Sequence, residues 1–239
     1  MKVLLLNLGY LSGLDGSMHD YVCHGARYLH TPAKIAAGVE DAVMQLLTRE
    51  EPDVCCFLEL HKKSAMVKDM RGYPCADVDN KYGLKSLLRR LPFFRDNCNG
   101  FFAKKEIPYK KYYFHEGSKK LIYELELDGG VSLIMCHFSL SKHVRQEQFR
   151  ELEKIIGTGK KVILCGDFNL FGGTGEIEDL MTTCDLHPGN LTGATFPACH
   201  PMKAFDQFLC SPGVRVTRCQ AVTGFHGSDH LPVMLEFQV

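Results

Sequence analysis

Lys161-Val162-Ile163-Leu164-Cys165-Gly166-Asp167-Phe168-Asn169 is the stretch from which the rest of this chain is read. Lys161 to Cys165 is a short apolar run, the pattern of a strand covered on both faces. A glycine ends the run, and a carboxylate and a carboxamide follow. Oxygen groups are thereby delivered at the end of a buried strand, where a rigid sheet fixes their positions. A second stretch, Gly227-Ser228-Asp229-His230-Leu231-Pro232-Val233, adds an imidazole beside another apolar run. Hard oxygen ligands for a dication, plus a proton carrier that titrates near neutrality, are what phosphoester cleavage requires.

Other strands carry polar residues at their ends. Residues 2–8 read as a buried strand that carries Asn7 and stops at Gly9. Val54 to Leu60 is nearly all apolar and carries Glu59. Val131 to Phe138 carries His137. Phe205 to Cys210 holds Asp206 between aromatic residues, and a carboxylate in such company needs a partner. Each of these residues alone has an ordinary structural explanation. Their common position at strand ends is what points to a site.

Ile35, Val39, Ala42, Val43 and Leu46 recur at helical spacing. They predict a helix with Thr31 as N-cap and Pro32 at its first position, closed by Pro52. Residues 143–156 and Glu176 to Cys184 read as further helices, and Leu84 to Leu91 as a short one. Leu121 to Leu127 alternates as a strand, Asp128-Gly129-Gly130 is a turn, and Val214 to Val222 and Leu231 to Phe237 close the chain. Residues 10–31, with His19, His24, Arg27 and His30, read as a polar connection. Tyr109 to Phe114 reads either as a small stacking surface or as an edge strand blunted by lysines. Hairpins mixed with helical crossovers predict an α/β (α+β) chain: two mixed β-sheets packed face to face, with helices outside. No repeat or linker interrupts residues 1–239, so one domain is expected.

Charge is balanced, with 28 basic and 28 acidic residues, which argues against a broad basic face for duplex nucleic acid. The lysine pairs, among them Lys119-Lys120, are scattered and read as solvated strand ends and turns. The 11 cysteines show no CxxC spacing. They read as small core residues in a reducing cytoplasm rather than as zinc or redox groups. No leader and no transmembrane segment is apparent. A cytoplasmic monomer without an obligate protein partner is expected.

In combination these segments resemble the endonuclease/exonuclease/phosphatase superfamily, whose branches include deoxyribonuclease I, exonuclease III, neutral sphingomyelinases and inositol polyphosphate phosphatases. The resemblance runs from Leu4-Leu5-Leu6-Asn7 through Phe57-Leu58-Glu59, Met135-Cys136-His137-Phe138 and Gly166-Asp167-Phe168-Asn169 to Phe205-Asp206 and Ser228-Asp229-His230-Leu231-Pro232. It implies a four-layer α/β/β/α sandwich and Mg²⁺- or Mn²⁺-dependent hydrolysis of a phosphoester. It implies Glu59 as principal metal ligand, with Asn7 beside it and Asp229 as a further carboxylate. Asp167 and Asn169 resemble the pair that orients water and the scissile phosphate. His230 resembles the histidine that handles a proton, Asp206 the residue that orients it, and His137 a second histidine facing the phosphate.

Two departures bear on the substrate. Cys136-His137-Phe138 stands where the abasic-site branch carries a tyrosine segment, and Gly9 stands where that branch carries an aspartate. DNA repair is demoted accordingly. The deoxyribonuclease branch pairs its middle histidine with a glutamate, for which Glu106 and Glu116 are the candidates. Residues 10–31 are a second departure, with Arg27 or His24 placed to meet a phosphate or head group if the segment borders the site. The expected substrate is a phosphodiester in a lipid head group or small molecule. A deoxyribonuclease I-like nuclease is the second reading, and a non-catalytic binding protein on the same fold the third.

Overall fold

A computed structural model describes residues 1–157, 159–189 and 193–238. The elements in chain order are β1 (Lys2–Asn7), α1 (Met18–His24), α2 (Ala33–Glu50), β2 (Val54–His61), α3 (Ala65–Lys68), β3 (Cys75–Asn80), β4 (Asn97–Ala103), β5 (Tyr109–Tyr113), β6 (Leu121–Leu127), β7 (Val131–His137), α4 (Lys142–Ile156), β8 (Lys161–Asp167), α5 (Glu178–Cys184), β9 (His187–Pro188), β10 (Asp206–Cys210), β11 (Arg215–Ala221) and β12 (Val233–Gln238). The strands form two mixed sheets of six, ordered β11-β12-β1-β2-β4-β3 and β5-β6-β7-β8-β10-β9.

Each sheet has one parallel pair near its middle, β1 with β2 and β7 with β8. Parallel neighbours need a crossover. In the first sheet α2 supplies it, and in the second α4. Side chains alternate across a strand, so Val3 and Leu5 point between the sheets, with Cys56, Leu58, Tyr123, Met135 and Ile163. Leu4 and Leu6 point the other way, onto Val39, Val43 and Leu46 of α2. Ile134, Cys136 and Leu164 of the second sheet meet Phe149, Leu152 and Ile156 of α4. Both faces of the central strands are therefore dry, which is why their sequences are unbroken apolar runs. The result is the four-layer α/β/β/α sandwich. All 11 cysteines are free thiols and eight are buried, as small core residues. Among the described residues no helix is long and apolar enough to cross a membrane.

Several local expectations need correction. Residues 10–31 are not a plain connection, because α1 lies within them. Ser17 caps it, accepting from Asp20 N at 3.1 Å, and a tight 3-10 turn over Gly25–Tyr28 follows. None of α1's residues is fully buried, so it has no apolar stripe to betray it. Thr31 does not cap α2. Its hydroxyl turns back to donate to the Arg27 carbonyl at 2.8 Å, with the Tyr10 carbonyl 3.2 Å away, leaving Pro32 as N-cap. Leu84 to Leu91 contains only a 3-10 turn, Leu87–Arg90. The helix expected from Glu176 starts at Glu178, because the Glu176 carboxylate bends back to Gly172 N at 2.6 Å and pairs with Arg145. Tyr109–Tyr113 is the edge strand β5.

The glycine of the Gly166-Asp167-Phe168-Asn169 segment is required by the parallel pairing. Gly166 lies opposite Cys136, and a Cβ there would run into the Cys136 carbonyl. Gly166→Ala is predicted to lower stability by on the order of 3 kcal/mol, because a backbone neighbour cannot move aside as a side chain can. The check is the urea midpoint followed by circular dichroism, and an unchanged midpoint would refute the packing account.

Candidate active site

Asn7, His137 and Asp167 are the last residues of β1, β7 and β8, and Asp206 is the first of the antiparallel β10. The register sets His137 and Asp206 on either side of Asp167. One end of the sandwich thus receives a polar group from each central strand. Glu59 arrives there by a bulge. Pairing of β2 with β4 slips between Phe57 and Leu60, and Glu59 adopts a left-handed φ of +50°. Its N–H leaves the ladder and donates to Asn99 Oδ1 at 3.1 Å. Such a conformation at a non-glycine residue costs about 1–3 kcal/mol and tends to sit where a site needs a side chain re-aimed.

These residues surround a cavity of about 460 Å³, lined by Asn7, Glu59, Asp167, Asn169, Asp229 and His230 among others. Asp167 Oδ1 accepts from Asn169 N at 3.0 Å, and Oδ2 accepts from Asn7 Nδ2 at 3.1 Å. Asn169, itself left-handed at φ +51°, donates through Nδ2 to Phe138 O at 3.0 Å. His230 Nδ1 lies 2.7 Å from Asp206 Oδ2, which answers the need of that buried carboxylate for a partner. His137 does not line the cavity. It stands behind Asp167, with Nε2 3.2 Å from Oδ2 and 3.9 Å from Glu59 Oε1, and Lys119 Nζ covers the same nitrogen.

The electrostatics separate the two histidines. Burial works against a charged His230, but Asp206, then Asp229 and Asp167, outweigh it and raise its pKa to about 10. Burial pushes the Asp206 carboxyl up while His230 pulls it down. At 2.7 Å the two form an imidazolium–carboxylate pair at neutral pH. His137 is lowered to about 4 by burial and the Lys119 ammonium, so it is neutral. Burial would raise Glu59, yet Lys81, His137 and Lys119 hold it at about 2. Asp167 is likewise held well below the carboxylate range against its burial, first by His137. Lys119 is lowered to about 8, chiefly by burial.

Five lining residues gave no signal in sequence. Tyr10 donates to Glu59 Oε1 at 3.0 Å, and Lys81 Nζ meets the same oxygen at 3.0 Å. Tyr21 and Tyr28 both donate to Asp229 Oδ2, at 2.7 and 2.5 Å. Burial, then Asp229, pushes both phenols up, so they remain donors. Lys119 belongs to a pair read as solvated, yet it lines the cavity. Residues 10–31 do border the site, through these tyrosines. His24 is instead 2.8 Å from Asp20, and Arg27 lines a neighbouring groove. Neither glutamate proposed for His137 reaches it. Glu106 borders a different hollow with Met1 and Asp53, and Glu116 is exposed.

Among the described residues no three acidic, histidine or cysteine side chains form a ready-made cation cage. The donor chemistry nevertheless fits a hard dication at Glu59. Its Oε1 is shared by Lys81 and Tyr10, and among the described residues no donor meets Oε2. Asn7 Oδ1 accepts from Gly9 N, and Asp229 Oδ1 lies 3.2 Å from Ser228 Oγ, each with lone-pair capacity left.

The chain belongs to the endonuclease/exonuclease/phosphatase family, whose model matches residues 31–230. Members are hydrolases that act on phosphoesters. Among solved structures, the chain is similar to an endonuclease/exonuclease/phosphatase from Beutenbergia cavernae DSM 12333, at 15% identity and TM-score 0.74 over 100% of this chain and 71% of that one. It is similar to the mannosyl-6-phosphatase Bt3783 of Bacteroides thetaiotaomicron VPI-5482, at 16% and 0.70 over 100% of both chains. It is also similar to D. rerio TDP2 complexed with single strand DNA product, at 16% and 0.69 over 100% of this chain and 99% of that one. At such identities the likeness shows the fold alone. No curated protein matches the sequence.

Asp206→Asn is predicted to return the His230 pKa from about 10 towards the ordinary histidine value, because its largest favourable charge is removed. The check is an NMR pH titration of the imidazole. A midpoint left near 10 would show that Asp229 and Asp167 suffice.

Proposed function

We propose that this chain is a Mg²⁺- or Mn²⁺-dependent phosphodiesterase acting on a lipid head group or a small phosphodiester, with residues 1–239 as one catalytic unit. The observation that carries the reading is the pairing of opposite protonation states at one cavity. An imidazolium, His230, faces it beside an ionised carboxylate, Asp167. Acid and anion held side by side are what in-line displacement at phosphorus needs.

Asp167 orients the attacking water, its own position fixed by Asn169 N–H and Asn7 Nδ2. As the new P–O bond forms, the water proton passes to Asp167. His230 donates its Nε2 proton to the departing ester oxygen as the old P–O bond breaks, with Asp206 holding the ring in place. Lys119, while protonated, contributes positive charge towards the phosphoryl oxygens. A dication held by Glu59, with Asn7 and Asp229 beside it, supplies Lewis-acid neutralisation of the phosphoryl and leaving oxygens when bound.

One observation favours a nuclease as second reading. A groove shares Tyr10 and Tyr28 with the cavity and carries Arg27, Lys63, Lys68 and Phe93, with Glu40 and Asp96 as its acidic residues. Basic side chains and an aromatic in a groove that adjoins the cavity suit a strand that extends from the scissile phosphate.

His230→Ala or Asp167→Ala is predicted to reduce hydrolysis of bis-p-nitrophenyl phosphate by about 10²–10⁴-fold with the fold retained. The assay is run with Mg²⁺, with Mn²⁺ and with EDTA. A panel of DNA, RNA, sphingomyelin, phosphoinositides, nucleotides and a phosphomonoester then selects the substrate class. Near-normal turnover in either folded variant rejects the assignment, and full activity in EDTA rejects the metal.

The pH profile provides an independent check. Lys119 is an ammonium below about 8 and neutral above it. The kcat/KM for an anionic ester is therefore predicted to fall as pH rises through that value. Lys119→Arg moves the fall to more alkaline pH, since a guanidinium does not deprotonate there. An identical alkaline limb in Lys119→Arg would assign it to another group.

A further inference from the structure

Lys81 is an unusual neighbour for a metal-binding carboxylate. Its side chain is 4% exposed, and its Nζ lies 3.0 Å from Glu59 Oε1. The same ammonium touches the Tyr10 hydroxyl and sits 4.7 Å over the Tyr10 ring. The backbone keeps it there. Lys81 N donates to Asn97 O at 3.2 Å, and Lys81 O accepts from Lys120 N at 2.7 Å. Lys81 thus follows β3 of one sheet and is tied to the residues that open β6 of the other. It is fixed at the seam where the cavity forms.

Glu59 is therefore already charge-compensated by the protein. Two cations on one carboxylate repel each other strongly when both are sheltered from water. The free oxygen of Glu59 is accessible to a dication, but only at the expense of an ammonium on the other oxygen. Tyr10 adds a second donor to that oxygen and helps to hold the ammonium in place.

We propose that Lys81 is the resident counter-ion of Glu59 and competes with the divalent cation for it, so that metal binding requires the ammonium to leave. This rests on the reading of Glu59 as the principal metal ligand. The folded chain has a neutralised site at low dication concentration, and its metal affinity is set by Lys81 rather than by the carboxylates alone.

The test is Mn²⁺ binding to the full chain by isothermal titration calorimetry, with melting curves in EDTA and in Mn²⁺. Lys81→Met is expected to bind Mn²⁺ at least about tenfold more tightly than the parent chain, because an unpaired buried carboxylate is left behind. Its melting temperature is expected to fall in EDTA and to recover with Mn²⁺, whereas the parent chain changes little. Lys81→Arg keeps the charge and is expected to keep the weak affinity. Lys81→Gln carries the same test if methionine disturbs the packing. Equal affinity in the parent and in folded Lys81→Met, with binding abolished by Glu59→Gln, overturns the competition while Glu59 stands as ligand. Binding that survives Glu59→Gln overturns the metal reading itself, and the competition with it.

Discussion

Four carboxylates, from Glu59, Asp167, Asp206 and Asp229, stand around or directly behind one cavity, and their mutual repulsion is the constraint that the surrounding structure answers. None sits in bulk water, so each needs a donor or a cation. Asp206 has His230, Glu59 has Lys81 and Tyr10, Asp229 has Tyr21 and Tyr28, and Asp167 has Asn7, Asn169 and His137. At Asp229 neutral phenols serve as the donors, while the cations Lys81, Lys119 and His230 stand by the other carboxylates. The assembly keeps ionised Asp167 and the His230 imidazolium facing the same space, which is the difference in protonation that acid–base chemistry draws on.

The same constraint explains how the sheets meet. Asn7 belongs to the first sheet and Asp167 to the second, and the hydrogen bond between them closes the sandwich at the mouth of the cavity. Ser228 adds a second tie, donating to the Asn7 carbonyl at 2.7 Å. Strand ends fix position, and the Glu59 bulge supplies the one re-aimed side chain that regular pairing does not provide. Strain is confined to a few residues, Glu59 and Asn169 among them, while the dry layers beneath are regular.

Much of this was legible in the linear chain because dry strands leave a plain mark. Val162 to Cys165 and Val3 to Leu6 are apolar without a break, so Asp167 and Asn7 stand out at their ends. Asp206 between aromatics announced a missing partner, and His230 is that partner. Tyr10, Tyr21, Tyr28, Lys81 and Lys119 left no such mark. Tyrosine and lysine are ordinary on a surface, and only contacts with residues far along the chain turn them inward. The Glu59 bulge was invisible for a related reason, since a slip in register exists only once β4 lies beside β2. Neither candidate partner for His137, Glu106 or Glu116, stands beside it: Asp167 and Glu59 approach its Nε2, and burial with the Lys119 ammonium leaves the ring uncharged.

Strand β1 has a consequence for the order of assembly. Its neighbours are β2 and β12, and the pairing of Lys2 with Glu236 joins residues from opposite ends of the described structure. Asp229 and His230 lie just ahead of β12. Until β12 has slotted in beside β1, Asp229 and His230 have no fixed place at the cavity, so this long-range pairing precedes a complete lining. Completion of the cavity is therefore tied to the longest-range strand pairing of the fold and to no local segment.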